Sequence, residues 1–174
     1  MINKILSILY KDFKIEISQS HLFFSVGLYV ISSIYIIYIS YQPTGILSSE
    51  HWISIFWVII LFSSISAVSK SFFQESGNRN YYYYYVLSAD ELIISKLIYN
   101  FLFIVFVTLL TFVFFTFLLG NFIISYSFFL LLLLIGSLSI SNCLTLISAI
   151  GHQVKNNSIL ISILRFPVII PILI

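Results

Sequence analysis

Apolar residues run along this chain in blocks too long for a strand or for the buried stripe of a soluble helix. The blocks extend from about Leu22 to Ser40, Trp52 to Val68, Leu97 to Leu119 and Phe128 to Ala149. Each approaches the ~20 residues with which an α-helix crosses a bilayer. A fifth begins near Ser158 and is still running at Ile174. The expected fold is an all-α integral membrane protein, with four complete transmembrane helices and part of a fifth in one membrane domain over residues 1–174.

Ahead of the first block the pattern changes period. At ~100° per residue, Asn3, Lys4, Ser7, Lys11, Lys14 and Ser18 share one face, and Ile2, Ile5, Leu6, Leu9, Phe13 and Ile17 lie opposite. Asp12 and Glu16 fall on the apolar side and spoil the pattern. Residues 1–20 therefore predict an amphipathic helix lying flat among the headgroups. The competing reading is a cytosolic helix packed on a neighbouring loop. The apolar run Ile5 to Tyr10, broken by Lys11 and Asp12, is too short for a signal peptide.

Composition agrees with the pattern: 60% of residues are hydrophobic and 8% charged, with a mean hydropathy of +1.10. The net charge of +2 is dispersed, which argues against a nucleic-acid surface. Basic residues are placed unevenly. Lys4, Lys11 and Lys14 precede the first span, Lys70, Arg79 and Lys96 lie between the second and third, and Lys155 lies before the fifth. The connections Tyr41 to His51 and Gly120 to Ser127 carry none. The positive-inside rule then puts the N-terminus and the long 69–96 segment in the cytoplasm.

Catalytic signatures do not emerge. The six glycines are scattered and no GxxxxGK[ST] occurs, so the chain lacks the usual phosphate-cradling loop and is expected not to be an ATPase or other enzyme. HExxH and GxSxG are missing too, as is any paired acidic cluster within a span. The lone Cys143 sits in an apolar run and forms no redox or metal motif. His21, His51 and His152 each mark a span edge; His51 beside Trp52 reads either as a haem ligand or, more simply, as an interfacial polar residue. No metal site is expected.

Polar residues inside the spans are the remaining signal. Ser63, Ser64, Ser66, Ala67 and Ser69 crowd the end of the second span, and Ser137 and Ser141 form a small-xxx-small pair in the fourth. Asn142 and Thr145 are three apart, where they either line a route or bond across helices. Arg165 lies seven residues into an apolar run, a placement that costs ~2.5 to 3.5 kcal/mol at mid-span. It serves a function there or snorkels towards the Lys155 side. Asn142 and Arg165 are thus the candidate intramembrane polar site. The abrupt end at Pro171-Ile172-Leu173-Ile174 suggests a chain cut short.

Segment 69–96 is too long and too patterned for a simple turn. Ser88 followed by Asp90 and Glu91 reads as a capped helix start. Before it, the five consecutive tyrosines Tyr81 to Tyr85 would cover every side of a short helix, which suits a surface half in headgroups and half against protein.

KSFFQESGNRNYYYYYVLSADELIISKLIYN and GHQVKNNSILISILRFPVIIPILI resemble the haem exporter protein B family (CcmB). The resemblance rests on Phe72-Phe73 and Glu75, the Leu87-Ser88 step, Lys96 at the start of the third span, and Pro167-x-x-x-Pro171 followed by Ile172-Leu173. It covers the whole chain in order. Ala89 stands where family members usually carry proline, and the family continues through a complete fifth helix and a sixth.

The resemblance implies an ABC-2-type permease subunit of the inner membrane, six helices in full, that serves haem delivery in c-type cytochrome maturation. Its cytoplasmic loop, here 69–96, would dock on a separate ATPase subunit through Phe72, Phe73, Glu75, Arg79, Tyr81, Tyr82 and Tyr85. Partners would be that ATPase, other cytochrome c maturation membrane proteins, lipid, and a second copy of the permease in a homodimer. Haem would be the transported substrate and not a resident cofactor, although ATP hydrolysis could instead release a haem-loaded chaperone. The alternatives are an ABC-2 permease for a drug or polysaccharide, and a membrane assembly scaffold without transport.

Overall fold

The computed structural model describes residues 2–18, 21–42, 47–73 and 89–153. Among these, every regular element is an α-helix: α1 (Ile2–Ser18), α2 (His21–Tyr41), α3 (Ser49–Phe73), α4 (Ala89–Leu119) and α5 (Tyr126–Gln153). The last four each contain a stretch long and apolar enough to span a membrane, over Phe24–Tyr41, Ser49–Val68, Asp90–Leu119 and Tyr126–Ala149. The protein is a multi-pass membrane protein, and its all-helical fold follows the apolar blocks.

Helix α4 is the hub, touching α1, α2, α3 and α5, while α3 also packs on α2 and α5. Its composition is apolar around the whole circumference, so hydropathy does not mark an inner face. Burial does: Tyr99, Phe103, Val107, Thr111 and Phe115 descend one side at four-residue intervals, with Lys96, Asn100, Ile104 and Thr108 beside them. Leu102, Phe106, Leu109, Val113 and Phe117 on the opposite side are exposed. Val26, Val30 and Ile34 of α2 form the matching buried line. Hydroxyls in the core return their bonds to their own helix: Thr108 Oγ1 donates to the Ile104 carbonyl (2.7 Å), Thr111 Oγ1 to Val107 (2.8 Å) and Ser63 Oγ to Ile60 (2.9 Å). A hydroxyl bare in hydrocarbon is costly, and among the described residues Ser64 Oγ is the one buried hydroxyl that makes no hydrogen bond.

The end of the bundle remote from α1 is closed by aromatic rings. Trp52 is fully buried. Its ring stacks on Phe56 (centroids 5.4 Å) and meets Phe115 edge-on (4.9 Å). Its Nε1 donates to the Gly120 carbonyl at 3.2 Å. Gly120 has φ +81°, the left-handed conformation that ends a helix at little cost only without a Cβ.

One boundary is corrected. The apolar block that marks the third span starts at Leu97, but α4 begins at Ala89, close to the start expected at Ser88, and α3 runs on to Phe73. An apolar run marks only the most hydrophobic part of a helix, and the backbone hydrogen-bond ladder continues past it. Only residues 74–88 of the 69–96 segment lie outside the described helices. The buried side of α1 centres on Ile8 and Asp12, while Leu6 from the expected apolar face is 56% exposed and Tyr10 71%. The helix is turned so that its acidic residue faces α4 and part of its apolar stripe faces outward.

Candidate functional site

The charged side chains that the structure gathers together lie where α1 crosses the beginning of α4. Asp12 occupies the buried line of α1, one turn from Ile8. Lys96, seven residues into α4, is 3% exposed. Its Nζ stands 3.2 Å from Asp12 Oδ2, and Lys11 Nζ stands 3.0 Å from Oδ1, with side-chain exposures of 4% for Lys96 and 28% for Lys11. Oδ2 makes no well-aligned hydrogen bond, so its contact with Lys96 is electrostatic attraction without a directed bond. Aromatic rings close the site: Phe13 meets Tyr99 edge-on at 5.4 Å, and Lys96 Nζ lies 5.8 Å from the Tyr99 ring centre. Glu91 is buried one turn nearer the start of α4.

Deeper in the bundle, small and polar residues join α4 to α5. Asn100 Nδ2 donates to Thr145 Oγ1 at 3.0 Å, and Ser141 Oγ reaches the Leu97 carbonyl at 3.5 Å. Ser137, Ser141, Thr145 and Ser148 fall on one stripe of α5, and all are buried. The sequence reading singled out the first two for packing but missed Asn100, Thr108, Thr111 and Ser148. Their recurrence at intervals of three, four and eight residues in otherwise apolar helices is the signal that would have found them.

On the other side of α5 an open apolar groove of about 730 Å³ runs against α3, lined by Trp57, Val58, Phe128, Leu132 and Gly136 among others. A Cβ on Gly136 would lie 2.3 Å from Trp57 Cη2. The glycine therefore makes room for the indole.

The candidate residues named from sequence separate in the structure. Phe72 and Phe73 belong to the last turn of α3. Glu75, Arg79, Tyr81, Tyr82, Tyr85 and Arg165 lie outside the described residues. Asn142 is exposed on α5, whereas Thr145, three residues on, is buried against Asn100. His51 is exposed in the first turn of α3, its backbone N–H donating to Ser48 Oγ at 3.3 Å. Among the described residues, no three His, Cys, Asp or Glu side chains gather into a metal-binding group.

Comparison with known proteins matches the family model described as CcmB protein over residues 3–174. No curated protein and no solved structure matches the chain. A match spanning both the α1–α4 contact and the entire helical bundle shows that the chain belongs to the CcmB family, membrane permeases of haem export in c-type cytochrome biogenesis.

Proposed function

We propose that this chain is the permease subunit of a haem-export complex and that a separate ATPase subunit supplies the energy. Residues 74–88, with the ends of α3 and α4 that flank them, face the cytoplasm beside the N-terminus and form the docking surface. Phe72, Phe73, Glu75, Arg79, Tyr81, Tyr82 and Tyr85 carry the contact, haem is the substrate, and the permease works as a homodimer in the inner membrane. The observation that carries the reading is the family match over residues 3–174. Charge placement supports the orientation: basic residues lie in α1 and in and around the α3–α4 connection, and the connections at the opposite end have none. Tyrosine rings suit a half-desolvated protein surface, being large, stiff and able to hydrogen-bond.

The test is co-purification of the full chain with its ATPase subunit, together with the yield of holo c-type cytochrome in cells. Replacing Glu75 and Tyr81 to Tyr85 by alanine should abolish both while the permease still reaches the membrane. Retention of both would sink the docking assignment.

A further inference from the structure

An acidic residue on the buried side of an interfacial helix needs a reason. The outward residues of α1, Leu6 and Tyr10, are apolar and exposed, suited to the headgroup boundary. The side that carries Asp12 could not face lipid, since an uncompensated carboxylate there is expensive. It faces α4 instead, where Lys96 supplies the opposite charge at 3.2 Å and the Phe13–Tyr99 contact shuts out water. Removing water strengthens the attraction between the two charges and makes either one costly without the other. The position of α1 is thus set by a specific protein contact, and lipid is left with the residual apolar stripe.

That contact joins two distant parts of the chain. Lys96 sits seven residues after Ala89, the start of α4, and α4 begins directly after residues 74–88. On the other side, α1 is separated from α2 by two residues, 19 and 20. We propose that the Asp12–Lys96 pair is a latch that makes α1 and the first turns of α4 one rigid unit, so that a displacement of the start of α4 carries α1 with it. Its consequence for transport rests on the docking role proposed above; the latch itself does not.

The experiment uses the full chain in its native membrane complex. Cys143, the single cysteine of the chain, is replaced by serine, and Phe13 and Tyr99 are each replaced by cysteine. A short reducible bis-methanethiosulfonate should then bridge positions 13 and 99 in high yield, equally with and without ATP. Bridging should leave the complex as active in cytochrome maturation as the same cysteine variant before bridging. Lys96→Met in that background should lower the bridging yield about tenfold, since the partner left to Asp12, Lys11, lies on its own helix and ties nothing to α4. Asp12→Asn, which keeps the shape of the side chain, should lower it too, and covers the case in which Lys96→Met fails to accumulate.

Equal bridging yields in the parent and both variants would overturn the latch. So would a bridged complex that is inactive and regains activity on reduction, because α1 would then have to part from α4 during the cycle. The bridging readout is independent of the ATPase, so loss of ATPase co-purification with bridging intact would count against the docking reading alone.

Discussion

Asn100 on α4 donates from Nδ2 to Thr145 Oγ1 on α5 across 3.0 Å, and each side chain is only 1% exposed. It is a direct side-chain bond between two spans, in a setting where neither group has water as an alternative. Such bonds average ~0.6 kcal/mol and reach ~1.7 kcal/mol in membrane proteins, because the separated helices also find other partners. Asn100→Leu and Thr145→Val should each destabilise the protein by roughly 1 kcal/mol, with a coupling near 0.6 kcal/mol in the double-mutant cycle. Reversible unfolding in mixed micelles measures both, and additive effects would show that the bond contributes nothing of its own.

The latch predicts a sharp contrast between neighbouring lysines. Lys11 and Lys96 both approach Asp12, at 3.0 and 3.2 Å, but their side chains are 28% and 4% exposed. Lys96→Met removes the buried partner, leaves Asp12 only the more exposed Lys11, and should cost up to about 3 kcal/mol. Lys11→Met should cost under about 1 kcal/mol, since water reaches the lysine end of that pair and Lys96 stays with Asp12. The melting temperatures of the purified variants decide it, and comparable losses would contradict the burial difference.

Gly136 is the largest residue that the Trp57 indole allows where it stands. Its missing Cβ would lie 2.3 Å from Trp57 Cη2, and the indole borders the open groove. Gly136→Ala should push the ring into that groove at a cost of about 1 to 3 kcal/mol, and Gly136→Leu should cost more. Trp57→Phe should relieve most of the alanine penalty, with thermal stability as the readout. An alanine variant as stable as the parent would mean that the ring moves freely.

The remote end depends on Trp52. Trp52→Ala should cost about 3 to 5 kcal/mol as a large-to-small change in a packed site. Trp52→Phe, which keeps a ring but loses the bond to the Gly120 carbonyl, should cost about 1 kcal/mol. Gly120→Ala should add a further ~1 to 2 kcal/mol from its left-handed backbone. Chemical denaturation of the three variants checks the order.

Much of the fold was legible because the bilayer imposes a simple rule on sequence. Blocks of apolar residues near ~20 long must become helices, since no other open structure satisfies its own backbone in hydrocarbon. Four spans, the amphipathic start and the family resemblance followed from Leu22–Ser40 onwards without any coordinates. The apolar block from Leu97 covers less than the helix it belongs to, which begins at Ala89, beside the start expected at Ser88. Periodicity alone does not say which side of α1 meets protein.

What the sequence alone determined was therefore which segments cross, with their polarity and charge bias laid out along one dimension. The tertiary structure decided which side of each helix meets protein. Asp12 looked like a flaw in an amphipathic pattern until Lys96, far along the chain, was brought to 3.2 Å from it. Asn142 and Thr145 looked equivalent until packing buried one and exposed the other. The reason is physical: in a uniformly apolar helix lipid and protein are equally good solvents for most side chains, so only close packing and charge partners, which are non-local, choose the inward face.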